Sequence, residues 1–516
     1  MIDMIHKWML QIFRRRVLLA ILILIQFGIF AVLINQSITY SIFLKTLFTF
    51  LSIAIALHVV WKKGKEAYKI TWILQVLIFP VYGALFYLMF NRQTKTKKLQ
   101  KKLEDVYDFH QSYLYNEQSV FLEANKCYPE YGAQMYYLQE TMGFPVYNQT
   151  EVNYYPIGEE YYQAMLEELV KAEHYIFFEF FIVSEGKMWT EIQEILIEKA
   201  ALGLDVRVMY DDIGSFVTIP KDTKKQLVEK GIDCRIYNPF HPVLTSSQNN
   251  RDHRKVLSID GKVAFTGGIN IADEYINEIE RFGHWKDTGI KMKGPAAWRQ
   301  TLIFLELWQT MDEALLESEM NLLVPNFKVT SQPKEIGYVQ PFADSPTDTQ
   351  NVGEQVFVKM IYKARKSILI NTPYLILDEN LETALVLAAQ SGISVKIILP
   401  KIWDKYLVHM TSRSYYKDLI NAGVEIYEYT NGFMHAKSII VDEAVAVIGT
   451  INFDYRSLYL HFENAVVLYG VPAIKDMIED FDQTILESEK IKIEDLSQSL
   501  IVTFSKRILR LFAPLM

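Results

Sequence analysis

The stretch His253-Arg254-Lys255-Val256-Leu257-Ser258-Ile259-Asp260-Gly261, followed by Gly267-Gly268-Ile269-Asn270, has a counterpart later in the chain. It returns as His435-Ala436-Lys437-Ser438-Ile439-Ile440-Val441-Asp442 and Gly449-Thr450-Ile451-Asn452. Both copies read H-x-K-x4-D and then G-[GT]-x-N. The pairs His253/His435 and Asn270/Asn452 are each offset by 182 residues. A lone H-x-K carries no information, but the full pattern twice at one spacing points to a duplicated unit. In an extended segment residues two apart share a face. His253 therefore projects with Lys255, and His435 with Lys437. The apolar residues that follow continue the strand, and Asp260-Gly261 closes a hairpin.

Similar elements precede both copies. Tyr175–Val183 reads as a buried strand, Thr190–Leu202 as a helix, Asp205–Tyr210 as a strand, Lys221–Lys230 as a helix ended by Gly231, and Cys234–Tyr237 as a strand. The later series is Ser367–Thr372, Leu381–Ser391, Ser394–Leu399, a helix containing Asp418–Ala422 and ended by Gly423, and Glu425–Tyr429. Short β-rich runs alternating with amphipathic helices predict sheets with helices packed on them. The expected fold class is α/β, with two repeats of a mixed sheet flanked by helices, packed pseudo-twofold. The expected domains are an N-terminal membrane anchor over 1–95, a linker over 96–140, a first repeat over 141–329 and a second over 330–516. Thr330–Thr349, rich in Pro, Ser, Thr, Gln and Asp, is the expected joint.

The chain has 516 residues, 50% of them hydrophobic and 22% charged. That excludes a disordered chain and a small disulfide scaffold. Two cysteines, Cys127 and Cys234, exclude an all-cysteine metal site and fit a reducing compartment. The net charge of −8 conceals an asymmetry: residues 1–102 carry +13 and the remainder −21. A basic head on an acidic body argues against a nucleic-acid partner and for an anionic membrane surface.

Three apolar runs occupy the head: Val17–Ile34, Thr46–Trp61 and Ile70–Phe90, the last with Pro80 and Gly83 near its centre. The first two are long enough to cross a hydrocarbon core about 30 Å thick. Basic clusters precede the first run, separate the second from the third, and follow the third. Two crossings plus a re-entrant or interfacial third segment put every cluster on the cytoplasmic side. The expectation is a multi-pass membrane anchor with the body in the cytoplasm.

Two His-Lys pairs around one cleft suit phosphoryl chemistry. One imidazole can attack phosphorus while the other protonates the leaving oxygen. Two lysines and two asparagines can hold the non-bridging oxygens. The spacing is unlike the H-E-x-x-H of a zinc site, and lysine repels a cation, so no metal and no cofactor is expected.

The motif resembles the HKD signature of the phospholipase D superfamily. The likeness extends to the runs Asn249–Lys255, Phe265–Tyr275, His284–Thr288, Asn371–Tyr374 and Asn452–Ser457, and to Pro80–Tyr87 in the anchor. These runs are similar to those of bacterial cardiolipin synthases. The resemblance implies two phospholipase D-like repeats and transfer of a phosphatidyl group from one phosphatidylglycerol to another. The products would be cardiolipin and glycerol, formed through a phosphohistidine. The alternative is a hydrolytic phospholipase D, or a transferase using another phospholipid or alcohol. The resemblance makes His253 the nucleophile and His435 the general acid and later base, although the near-symmetry of the copies leaves the reverse open. It makes Lys255, Lys437, Asn270 and Asn452 phosphate ligands, and places the carboxylates Asp287 and Glu463 behind the histidines. Asp260 and Asp442 complete the catalytic motifs and are expected mainly to secure their turns. His461 stands where many relatives carry asparagine. His284 and His409 are expected as structural histidines, with lining of the cleft the alternative.

Overall fold

The computed structural model describes residues 38–515 apart from 63, 79–82, 84–86, 88–93, 116, 241–245, 312–315, 328–336, 349 and 497–499. The chain divides into two compact units. One holds Met1–Thr96, Phe240–Asn249 and Arg510–Met516, and the other holds Lys97–Pro239 and Asn250–Leu509.

In the first unit, the helices Ile38–Trp61 and Glu66–Ile78 share a small core of Ile55, Val59, Val76 and Tyr87. Ile42, Phe43, Phe50, Leu57 and Trp61 remain exposed on the longer helix. Among the described residues no helix is long and apolar enough to cross a membrane. Of the two expected crossings, Thr46–Trp61 is therefore not found there as a membrane span, and Val17–Ile34 cannot be placed. The longer helix has 24 residues. The shorter has 13 residues, about 20 Å, well below the thickness of the hydrocarbon core. The run Val17–Ile34 and most of 79–90 lie outside the described residues.

The second unit contains the duplication. Its first half supplies β1 (Glu151–Tyr155), β2 (Tyr175–Phe180), β3 (Asp205–Asp211), β4 (Asp233–Tyr237), β5 (Arg251–Asp252), β6 (Lys255–Ile259), β7 (Val263–Gly267), β8 (His284–Lys286) and β9 (Gly289–Lys293). Its second half supplies β10 (Tyr338–Asp344), β11 (Ser367–Asn371), β12 (Ser394–Pro400), β13 (Glu425–Tyr429), β14 (Gly432–Met434), β15 (Ser438–Val441), β16 (Val445–Gly449), β17 (His461–Tyr469) and β18 (Ser488–Lys490). One sheet runs β1-β9-β7-β6-β2-β3-β4. The other runs β10-β17-β16-β15-β11-β12-β13 and adds β18 at its edge. The two orders match strand for strand. In each, a parallel trio (β2-β3-β4, β11-β12-β13) meets the antiparallel motif hairpin (β6-β7, β15-β16).

Both faces of the first sheet are covered at its centre, so β2, β6 and β7 are buried along their whole length. All six residues of β2 are buried. Phe178 and Phe180 pack with Leu257 and Ile259 on one face; Phe177 and Val256 pack against helix Pro295–Met311 on the other. The two sheets meet through Ala264, Ile290 and Met292 on one side and Ala446, Ile448, Val466 and Leu468 on the other. Each isoleucine, valine, leucine or methionine among them contributes about 1.5–3 kcal/mol when fully buried. Gly423, at φ 105, ends helix Tyr406–Ala422 in the left-handed conformation that a β-carbon disfavours, which turns the chain into β13.

Two stretches differ from expectation. The predicted linker, 96–140, is largely helical: Lys102 donates to the Thr310 carbonyl and Trp298 to that of Tyr113. The predicted joint, Thr330–Thr349, contains β10, which pairs along β17 in seven-residue register. Pairing with a fully buried strand overrides its turn-like composition.

Candidate active site

Two short crossed pairings bring the motifs together. β5, just before His253, runs parallel to the start of β17; β14, just before His435, runs parallel to β8. The His253 N–H donates to the Phe462 carbonyl at 2.9 Å, and the His435 N–H to the Lys286 carbonyl at 2.7 Å. Each histidine is thus seated on a strand from the other repeat.

The carboxylate one residue beyond each of those carbonyls turns to the histidine that is seated there. Glu463 places Oε1 and Oε2 at 3.0 and 2.9 Å from His253 Nδ1. Asp287 Oδ2 lies 2.5 Å from His435 Nδ1. A carboxylate at Nδ1 holds the proton there and leaves Nε2 as the free base. Both imidazoles are 10% exposed. Phe181 packs 5.0 Å from His253, and Trp285 and Tyr275 lie 5.3 and 5.5 Å from His435, measured between ring centroids.

The copies differ in how the carboxylate is supported. Thr450 donates its hydroxyl to Glu463. The equivalent residue is Gly268, and a β-carbon there would lie 2.1 Å from Asp287 Oδ1. The absent side chain makes room for the shorter acid, which is anchored by the Thr288 N–H at 2.9 Å. This accounts for the G-[GT] variation between the two motifs.

Lys255 Nζ donates to the His253 carbonyl at 2.7 Å, and Lys437 Nζ to the His435 carbonyl. Both ammonium groups are buried. Burial pushes the Lys255 pKa down to about 7 and that of Lys437 down to about 8. Burial, then the nearby lysines, holds both histidines well below the ordinary imidazole value. Burial raises Asp287 to about 6 against the pull of Lys437.

Asn270 and the motif aspartates are committed elsewhere. Asn270 Oδ1 accepts from the Ile182 N–H at 3.1 Å, and its amide donates to Tyr275 at 2.7 Å, so it braces the wall around His435. Asn452 is buried with its Oδ1 unpartnered. Asp260 accepts from the backbone N–H groups of Glu173, His174 and Tyr175, and Asp442 from those of Arg365, Lys366 and Ser367. Asp260 lies a full strand away from Lys255, about 16 Å along β6. These aspartates tie the hairpins to the starts of β2 and β11; they do not reach the imidazoles. His284 Nδ1 faces the Tyr429 hydroxyl at 3.2 Å, and His409 lies in helix Tyr406–Ala422 with its pKa lowered to about 4 by burial.

Sequence reasoning missed the supports of the first motif. Arg254 is buried against Glu179 at 2.6 Å and donates to the Ile303 carbonyl. Arg251 pairs with Asp211 at 3.3 Å. Acids inside the buried runs β2 and β3 were the available signal, since such groups are rarely buried unpaired.

The architecture is that of the phospholipase D-like proteins. A phosphatidylserine synthase structure from Haemophilus influenzae matches 71% of this chain and 93% of its own, with a TM-score of 0.53 and 15% identity, a likeness of fold. A family model described as "Cardiolipin synthase, PLD-like domain" matches residues 165–280 and 357–485, and one described as "Phospholipase_D-nuclease N-terminal" matches 50–92. A Streptococcus mutans protein of unassigned function is 40% identical, over 87% of this chain and 96% of its own. A cardiolipin synthase from Alkalihalophilus pseudofirmus is 36% identical, over 87% of this chain and 88% of its own. The chain belongs to the cardiolipin synthase family.

Proposed function

We propose that this protein is a phosphatidyltransferase that makes cardiolipin and glycerol from two molecules of phosphatidylglycerol. The observation that carries the reading is the crossed pair of His-carboxylate couples, which holds two imidazoles with Nδ1 occupied. His253 Nε2 attacks phosphorus, the P–O bond to glycerol breaks, and His435 passes a proton to the departing oxygen. His435 then takes the proton from a hydroxyl of the second phosphatidylglycerol. That oxygen attacks phosphorus, breaks the P–N bond and regenerates His253. Lys255 and Lys437 balance the phosphate charge, and Asn452 offers a hydrogen bond. Before substrate enters, burial keeps both imidazoles neutral. The phosphodiester brings the negative charge that lets His435 hold a proton.

Membrane association is part of the proposal, supported by the exposed apolar side chains on Ile38–Trp61. The cytoplasmic side is supported by the basic residues Lys62, Lys65 and Lys69 after that helix.

The test is an incubation of full-length protein with phosphatidylglycerol mixed micelles, without added metal, with products read by mass spectrometry. Cardiolipin and glycerol in equal amounts, lost in His253→Ala and His435→Ala, support the synthase. Phosphatidic acid as the main product would favour the hydrolase instead.

A further inference from the structure

His461 is an imidazole for which the proposed chemistry has no use. It opens β17 and is 7% exposed. Its ring centroid lies 5.3 Å from that of His253. Its Nδ1 is 3.5 Å from Glu463 Oε1, and neither ring nitrogen makes a hydrogen bond. Buried polar atoms are normally satisfied, so two unpartnered nitrogens on one buried ring invite a ligand.

The donor set indicates which ligand. Nitrogen from His253, nitrogen from His461 and a Glu463 oxygen lie within 4.8 Å of one another. A tetrahedral zinc ion, with bonds of about 2.0–2.1 Å, holds its donors about 3.4 Å apart. The separations from Glu463 Oε1 to Nδ1 of His253 and of His461 are 3.0 and 3.5 Å. Ring rotations would bring the three donors to three corners of a tetrahedron, with water as fourth ligand. Two imidazoles and one carboxylate suit zinc-like ions; magnesium, which prefers oxygen ligands, is disfavoured.

We propose that His253, His461 and Glu463 form a binding site for a divalent transition metal, and that metal seated there inhibits the enzyme. Binding displaces the Nδ1 proton of His253 and occupies Glu463. It also draws electron density from the imidazole whose Nε2 must attack phosphorus. The inhibition rests on the role proposed for His253; the binding does not. Lys255, whose Nζ donates to the His253 carbonyl at 2.7 Å, opposes a dication and makes the site weaker than a structural zinc site.

The test uses full-length, metal-free protein in detergent, titrated calorimetrically with zinc chloride and with magnesium chloride, beside phosphatidylglycerol turnover at each zinc concentration. The expected result is one zinc per chain, no magnesium binding, and turnover that falls with zinc and recovers with a chelator. In His461→Asn, zinc affinity and the half-inhibitory concentration both shift by about tenfold or more. No zinc binding by the wild type, or equal affinity in the variant, overturns the site. Zinc that binds without slowing turnover overturns the inhibition and the role of His253 while leaving the site. Should the variant fail to fold, cobalt on the wild type decides: a strong tetrahedral visible spectrum abolished by zinc supports the site, and a weak octahedral one contradicts it.

Discussion

Glu463, from the second repeat, approaches Nδ1 of His253, from the first, with both carboxylate oxygens, at 3.0 and 2.9 Å. Asp287 returns the relationship from the first repeat to His435 in the second. Neither repeat holds a complete His-carboxylate couple alone, so the site exists only where the two meet. Glu463→Gln keeps the shape but lets an amide N–H face Nδ1, which favours the wrong tautomer. We expect kcat to fall by about 10³-fold with little change in KM. Steady-state kinetics check this, and loss confined to KM would contradict it.

The space beside Gly268 is already filled by Asp287. Gly268→Ala places a methyl group 2.1 Å from Oδ1 and must push the carboxylate off His435. Turnover should drop at least about tenfold while the melting temperature moves modestly, because one displaced contact at a packed site suffices. Undiminished turnover would mean that Asp287 does not position His435.

The motif aspartates should behave as structural residues. Asp260→Ala removes an acceptor from three backbone N–H groups. We expect a loss of about 1–3 kcal/mol in stability, since donors are left unpaired. The rate per folded molecule should persist, as read from denaturant unfolding beside an activity assay.

The lysine pKa values set the pH response. Lys255 at about 7 and Lys437 at about 8 lie below the ordinary lysine value, so their charge is present at low pH and lost as pH rises through that window. KM for phosphatidylglycerol should therefore rise between about pH 7 and 9. Bound phosphodiester favours the charged lysines, so kcat should vary less. A KM that falls over this range would contradict the phosphate-binding role.

Much of this was legible in the sequence because it lies in long periodic elements. β2, β3, β11, β12 and β13 fall where the apolar runs place them, and the doubled motif announces the two hairpins. The pairings that build the site were not legible. β5 has two residues and β14 three, too short to leave a period. β10 is hidden by a Pro- and Ser-rich neighbourhood, because pairing with buried β17 decides its structure. The commitment of Asn270 to Ile182 and Tyr275 depends on partners 88 and 5 residues away that no spacing rule connects. The unpartnered ring of His461 could be found only once His253 and Glu463 were placed around it.

The central claim is a covalent phosphatidyl intermediate on one histidine, released by the other. The most direct measurement gives His435→Asn a phosphatidyl ester with a nitrophenol leaving group, which departs without an acid, then quenches in alkali and maps the adduct by mass spectrometry. The account predicts a phosphatidyl adduct on the peptide containing His253, because the base for the second step is missing, and no adduct in His253→Asn. An adduct on another residue, or none while nitrophenol is still released, would contradict it.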